Sequence, residues 1–278
     1  MVRRIRHQIT KSKLRVPLVW LRHRGIAERD VFVASYPRSG STWLRFLLFE
    51  ALSNAEAGFD NVNRVIPDVG EHASAPSMLP SQGRIIKTHE AYRSEYKRAI
   101  YVVRDPRDVA LSEFAYEGAL GRVSGDFDCY LTDFLRGTAT AYGSWLHHAE
   151  SWIDSPLAAR GNLMVVSYKD LRKDTATYLE RIVKFLGVSL DRQRIEEAIR
   201  NNDFQRMRAK EDQTPQLGKP TDNQKRFVRK GAVGGWRDQL TPEQLERIEE
   251  NTAKMLTRLG YEFASLAYAT MPNSVSAD

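Results

Sequence analysis

One stretch constrains this chain more than any other: Val31-Phe-Val-Ala-Ser-Tyr-Pro-Arg-Ser-Gly-Ser-Thr-Trp-Leu-Arg-Phe-Leu-Leu-Phe-Glu-Ala-Leu52. Val31 to Ser35 is a short, apolar, β-branched run, the pattern of a buried strand. Pro37 and Gly40 punctuate a turn, and Ser41 or Thr42 can cap a helix beyond it. Trp43, Leu44, Leu47, Leu48 and Ala51 then recur at helical spacing. A tight loop that enters a helix aims free backbone N–H groups at one point. The helix dipole adds positive charge there, so an anion is favoured. Ser39, Ser41 and Thr42 add hydroxyl donors, and Arg38 adds a fixed cation. The loop reads as a phosphate or sulfate cradle; alone, it also reads as an ordinary corner rich in small residues. It is not a Walker loop, because no lysine follows Gly40.

The same alternation continues. Arg84–Thr88, Arg98–Val103 and Leu163–Ser167 read as three further short strands. Helices are predicted over 127–152, 174–186 and roughly 191–201, and a last one opens with the capping box Thr241-Pro242-Glu243-Gln244. Asp105, Pro106 and Asp108 suit the N-cap, first and third positions of another. Strands alternating with helices imply an α/β fold: a single domain with a central parallel β-sheet flanked by helices. With 278 residues and 42% apolar content, one core over residues 31–263 is the expectation. Residues 1–30 read as a basic arm and 264–278 as a tail. Residues 55–83 are polar and loop-like, as a substrate-pocket border would be, and 205–238 form a long basic loop.

A net charge of +7 points to anionic partners. The single cysteine, Cys129, rules out an internal disulfide and fits a reducing, cytoplasmic setting. No apolar run approaches the ~18 residues that span a bilayer. The arm carries Arg3, Arg4, Arg6, Lys11, Lys13, Arg15, Arg22, Arg24 and Arg29 against only Glu28 and Asp30. It reads either as a solvated segment or as a peripheral foothold on an anionic membrane face through residues 1–25. No nucleic-acid-binding motif accompanies this charge.

Lys87-Thr88-His89-Glu90 closes the second strand, and Arg104 through Ser112 follows the third. Tyr142-Gly143-Ser144-Trp145 precedes His147, His148 and Trp152. Tyr168-Lys169-Asp170 follows the fourth strand, and Arg229-Lys230-Gly231 leads to Gly234, Gly235 and Trp236. Taken in order, these segments resemble the sulfotransferase family that uses 3′-phosphoadenosine 5′-phosphosulfate (PAPS). The resemblance covers roughly residues 30 to 260. Tyr36 to Trp43 is similar to that family's 5′-phosphosulfate loop, and Lys87-Thr88-His89 to its Lys-Thr-His segment. Arg104 to Ser112 is similar to its 3′-phosphate motif, and Arg229 to Trp236 to its closing loop.

The resemblance implies a metal-free transfer of a sulfuryl group from PAPS to a hydroxyl on a small-molecule, glycan or lipid acceptor. It implies His89 as general base, with Lys87 and Arg38 stabilising charge on the leaving group. Arg38, Ser39, Gly40, Ser41 and Thr42 would hold the 5′ end. Arg104, Ser112, Arg229, Lys230 and Gly231 would hold the 3′-phosphate, and Trp43 and Tyr168 the adenine. Such transfer is helped mainly by positioning and charge. Three departures stand out. Arg38 replaces the lysine of cytosolic members, and a guanidinium is a poor proton donor. Glu90 stands where those members often have Leu-Pro. Their dimer motif is echoed only by Arg237, Thr241, Pro242 and Glu246. A nucleotide kinase or NTPase and a non-enzymatic anion- or membrane-binding protein are the competing classes. The first lacks its Walker lysine.

Overall fold

In the computed structural model, the described residues are 15–123, 125–214, 226, 228 and 231–264. The first half of the expected basic arm and nearly all of the expected tail lie outside them. Four strands, β1 (Val31–Ser35), β2 (Ile85–Thr88), β3 (Ala99–Val103) and β4 (Leu163–Ser167), form one sheet in the order β2-β1-β3-β4. Every pairing is parallel, with Val33 opposite Lys87 and Ile100, and Tyr101 opposite Val165. Alternate side chains of β1 feed different cores. Val31 and Val33 join Leu44, Leu47, Ile85, Leu179 and Ile182 on one face. Phe32 and Ala34 join Tyr101, Ala110, Trp145, Trp152 and Ile248 on the other. Burial on both faces is why the central strands read as continuous apolar runs.

The first face is covered by α2 (Ser41–Ser53), α9 (Thr175–Phe185) and α10 (Arg192–Asn201), with α1 (Arg15–Arg22) and the single turn α3 (Val62–Val65) elsewhere along the chain. The second is covered by α4 (Pro106–Ala119), α5 (Phe127–Arg136), α6 (Trp145–Ile153) and α12 (Pro242–Arg258), with the single turn α7 (Pro156–Ala159) beside them. Two further helices, α8 (Tyr168–Lys173) and α11 (Phe204–Asp212), complete the described elements, with 3₁₀ turns at His72–Ser74 and Gly235–Asp238. The expected α/β sheet flanked by helices is what forms.

Three local expectations are corrected. The helix predicted over 127–152 is two helices. Gly137 ends α5 at φ 79°, where a Cβ would lie 2.5 Å from the Ser144 amide, and Ser144 then caps α6. Residues 205–212, read as loop, belong to a helix that starts at Phe204 from the Asp203 cap. The buried face of α11 carries Met207, Lys210 and Glu211, and Lys210 pairs with Glu50 at 2.7 Å, so hydrophobic periodicity could not reveal it. Neither Ser41 nor Thr42 caps α2: Gly40 does, at φ 99°, without a side-chain bond, and Ser41 instead accepts a hydrogen bond from Ser35 at 2.9 Å.

All four strands point the same way, so Ser35, Thr88, Val103 and Ser167 end on one edge. The chain leaves β1 for β2 on one side and returns to β3 on the other. Such a switch point opens a crevice beyond the carboxyl ends of the strands.

Candidate active site

The segments singled out in the sequence begin where these strands stop: Tyr36, His89, Arg104 and Tyr168 each follow one strand end. They border a cavity of about 490 Å³, with Arg38, Ser41, Lys87, His89, Arg104 and Ser112 among its lining.

The β1–α2 loop is bent by two left-handed residues, Arg38 at φ 62° and Gly40 at φ 99°. A Cβ at residue 40 would lie 2.4 Å from the Tyr168 ring, so glycine is needed for both conformation and space. The Tyr36 hydroxyl donates to the Gly143 carbonyl at 3.0 Å and ties the loop to the α5–α6 turn. Inside the bend Ser39 is buried, and its Oγ has no hydrogen-bond partner. The Arg104 Nε is also buried and unpartnered. The orphaned Ser39 donor beside the N-terminus of α2 is what a phosphosulfate would satisfy, and the orphaned Arg104 Nε fits a further phosphate.

Arg38 Nε donates to Ser112 Oγ at 3.3 Å, and its guanidinium lies over the Tyr116 ring at 4.6 Å. Arg104 Nη1 donates to the Arg38 carbonyl at 3.1 Å and Nη2 to the Ala232 carbonyl at 2.9 Å; its guanidinium also lies 4.9 Å from the Tyr168 ring centre. Ser112 and Arg104 are thus both tied to Arg38, one through its side chain and the other through its carbonyl. Trp43 and Tyr168 meet edge to face at 6.2 Å, and Trp43 Nε1 donates to the Asn202 carbonyl at 2.8 Å. Tyr168 Oη donates to the Gly231 carbonyl at 3.2 Å, which brings the glycine-rich loop to the site. Arg229 and Lys230 lie outside the described residues.

Lys87 is buried at the end of β2, with its ammonium 2.8 Å from Asp68 Oδ1. Burial pushes the Lys87 amine down, and the Asp68 charge opposes this. His89 Nδ1 donates to the Ser35 carbonyl at 2.7 Å, since a carbonyl can only accept. That bond leaves Nε2 as the lone-pair nitrogen. Burial first, then the Lys87 charge, lowers the imidazole to about 3. The ring is therefore neutral at physiological pH, which a proton acceptor requires.

Sequence reasoning missed several supports. His148 on α6 donates from Nε2 to the His89 carbonyl at 3.1 Å and accepts from the Tyr101 hydroxyl at 3.0 Å. Trp152 Nε1 donates to the Glu90 carbonyl at 3.1 Å. The aromatic helix thus holds the backbone that carries His89. Asp108, read as a helix-start residue, accepts from the Gly234 and Trp236 amides at 2.9 and 3.2 Å and anchors the glycine-rich loop. Asp68 lies in the 55–83 segment expected to border the pocket, but nothing in its neighbours marked it. Among the described residues no group of three or more His, Cys, Asp or Glu side chains is arranged to hold a metal ion.

The family model for the sulfotransferase domain matches residues 28–260. Sulfotransferase 2B1 of Homo sapiens is 28% identical over 251 residues, 83% of this chain and 67% of that protein. Sulfotransferase 2A1 of Mus musculus is 27% identical over 247 residues, 81% and 83%. Mouse sulfotransferase SULT7A1 complexed with PAP matches with a TM-score of 0.64 at 25% identity, covering 83% of this chain and 85% of that one. Retinol dehydratase in complex with androsterone and inactive cofactor PAP shares the fold, with a TM-score of 0.69 at 23% identity over 85% and 83%. The anion loop without a Walker lysine, the neutral histidine beside it and the match over 28–260 agree: this chain belongs to the sulfotransferase family, and it transfers a sulfuryl group from PAPS.

Proposed function

We propose that His89 is the general base of this enzyme, and that it deprotonates a hydroxyl of the acceptor as the sulfuryl group is transferred in line. The observation that carries this is the 2.7 Å bond from His89 Nδ1 to the Ser35 carbonyl, which fixes the ring with its basic nitrogen free for a substrate. When bound, the donor supplies an activated sulfuryl group and a bisphosphate leaving group. Arg38 and the Ser39 hydroxyl stabilise negative charge at the loop, and Lys87 adds a buried cation beside them. Arg38 acts by charge alone, because a guanidinium does not give up its proton. Arg104 and Ser112 hold the 3′-phosphate together with Arg229, Lys230 and Gly231; Trp43 and Tyr168 flank the adenine.

The acceptor enters beside His89, where the Tyr142 ring lies 5.6 Å from the imidazole. Replacing His89 with alanine and measuring turnover of labelled PAPS against a panel of alcohols and phenols tests this reading. Loss of turnover with intact donor binding is expected. Full activity removes His89 as base.

The chain also makes peripheral contact with anionic membrane. In α1, Leu18, Trp20 and Leu21 are 43%, 62% and 54% exposed, which is unusual for residues so apolar. They adjoin Arg22 and Arg24, and the preceding sequence adds Arg3, Arg4, Arg6, Lys11 and Lys13. Exposed aromatic and aliphatic side chains beside clustered positive charge suit a lipid interface. Among the described residues no helix is long and apolar enough to cross a membrane.

A further inference from the structure

The cavity is lined by more carboxylates than an anionic donor explains: Asp68, Glu71, Glu90, Asp108, Glu113 and Glu117. Glu71 is exposed, Asp108 accepts from the Gly234 and Trp236 amides, and three of the others have a cation close by. Asp68 pairs with Lys87 at 2.8 Å, Glu117 with Arg122 at 3.2 Å, and Glu90 lies 3.8 Å from Arg22. Glu113 is different. It is 4% exposed, yet its Oε2 has no hydrogen-bond partner.

Glu113 sits on α4 one residue after Ser112. The charged and titratable groups that face it are Arg38 from the β1–α2 loop, Glu117 from its own helix, Arg122 just beyond, and Tyr130 from α5. The Tyr130 hydroxyl is likewise buried without a partner. A buried carboxylate left unpartnered is unfavourable, and a donor that is anionic throughout cannot relieve it. The missing partner therefore belongs to the other substrate.

Resting on the reading that the acceptor enters beside His89, we propose that Glu113 determines acceptor specificity, and that the acceptor carries a cationic nitrogen, such as a protonated amine, in addition to the hydroxyl it presents to His89. A hydroxyl opposite Glu113 would supply a hydrogen bond but no charge, and the Arg38 cation that faces Glu113 is shared with the anionic donor. An ammonium supplies both. Burial pushes the Glu113 carboxyl up to about 7, with Arg38 opposing. Its ionised fraction therefore grows between pH 6 and 8, while an alkylamine stays protonated, so amine binding strengthens as pH rises across that window.

The test uses the full chain saturated with adenosine 3′,5′-bisphosphate. Saturation is checked first, because failure at that step removes the donor reading itself and this proposal with it. Binding of 4-(2-aminoethyl)phenol and of 4-propylphenol, which match in size and differ in charge, is then measured by calorimetry at pH 6 and 8. The expected result is at least tenfold tighter binding of the amine at pH 8, with a smaller preference at pH 6. Glu113→Gln reduces the preference to within twofold and abolishes its pH dependence, and Glu113→Asp retains it. Equal binding of the two phenols, no binding of the amine, or a preference that survives in Glu113→Gln overturns the proposal while leaving the donor site standing.

Discussion

The carbonyl oxygen of Ser35 sits 2.7 Å from Nδ1 of His89, so the strand that leads into the anion loop also sets the tautomer of the histidine on the neighbouring strand. The anion loop and His89 are thereby registered to each other by a parallel pairing in which Ala34 faces Thr88, one residue before Ser35 and His89. His89 cannot drift from the loop without breaking the sheet.

Removing the imidazole should separate chemistry from binding. His89→Ala is expected to lower kcat by about 10²–10⁴-fold, the usual contribution of a positioned general base. Adenosine 3′,5′-bisphosphate should still bind with an unchanged Kd. Steady-state turnover of labelled PAPS and calorimetry on the same preparation check both halves.

The pH profile follows from the imidazole lying at about 3. The active form is the neutral one, present above that value, so activity is lost only as pH falls through it. With a neutral acceptor, kcat/KM should not show the midpoint near 6.5 that an unperturbed histidine gives. The acid limb assigned to His89 should lie below about pH 4, on protein shown folded by circular dichroism. A histidine-like midpoint near 6.5 that vanishes in His89→Ala would contradict the assignment.

His148 should matter for both stability and rate without touching substrate. Its buried ring bridges the Tyr101 hydroxyl and the His89 carbonyl. His148→Leu strands two polar groups, each costing about 1–3 kcal/mol when left buried and unpaired. Urea unfolding should report a loss of about 2 kcal/mol or more. The kcat should fall while bisphosphate affinity holds, because the peptide carrying His89 loses its support.

Arg104 should carry discrimination for the 3′-phosphate. Its guanidinium faces the loop carbonyls of Arg38 and Ala232, and its Nε is unpartnered. Arg104→Ala is expected to weaken adenosine 3′,5′-bisphosphate by about 10–100-fold, the worth of charge-assisted hydrogen bonds. Affinity for 5′-AMP should change far less. Parallel titrations of the two nucleotides measure the difference.

The exposed ridge of α1 predicts lipid binding that point mutations can remove. Co-sedimentation with vesicles rich in phosphatidylserine should exceed that with neutral phosphatidylcholine vesicles and should fall with added salt. The double variant Trp20→Ser, Leu21→Ser should lower it several-fold. His23 and Arg22 are left in place, because Nε2 of His23 lies 2.6 Å from the Tyr96 hydroxyl and Arg22 donates to the Val69 carbonyl at 3.0 Å.

The sheet was legible because β1 and β3 are buried on both faces and therefore read as uninterrupted apolar runs. The N-caps of α4 and α12 were legible because Asp105 and Thr241 use local side-chain bonds. The break after Gly137 was harder, since the residues on both sides keep a helical apolar pattern and the turn is marked only by the left-handed Gly137 and Gly143 and the Ser144 cap. The α11 helix was hidden by a polar buried face. At the site, the loop, Lys87, His89, Arg104 and Tyr168 were visible as motifs attached to strand ends. Asp68 was not, and for His148 the motif was visible but its partner was not, because the contacts with Lys87 and with the His89 carbonyl are made only by folding.

The measurement that tests the central claim most directly is a calorimetric titration of adenosine 3′,5′-bisphosphate into the protein with EDTA present, with ATP and 5′-AMP in parallel. Tight, metal-independent binding that requires the 3′-phosphate is the predicted result. No binding, or binding shared equally with ATP, would contradict a donor site formed by the anion loop and Arg104.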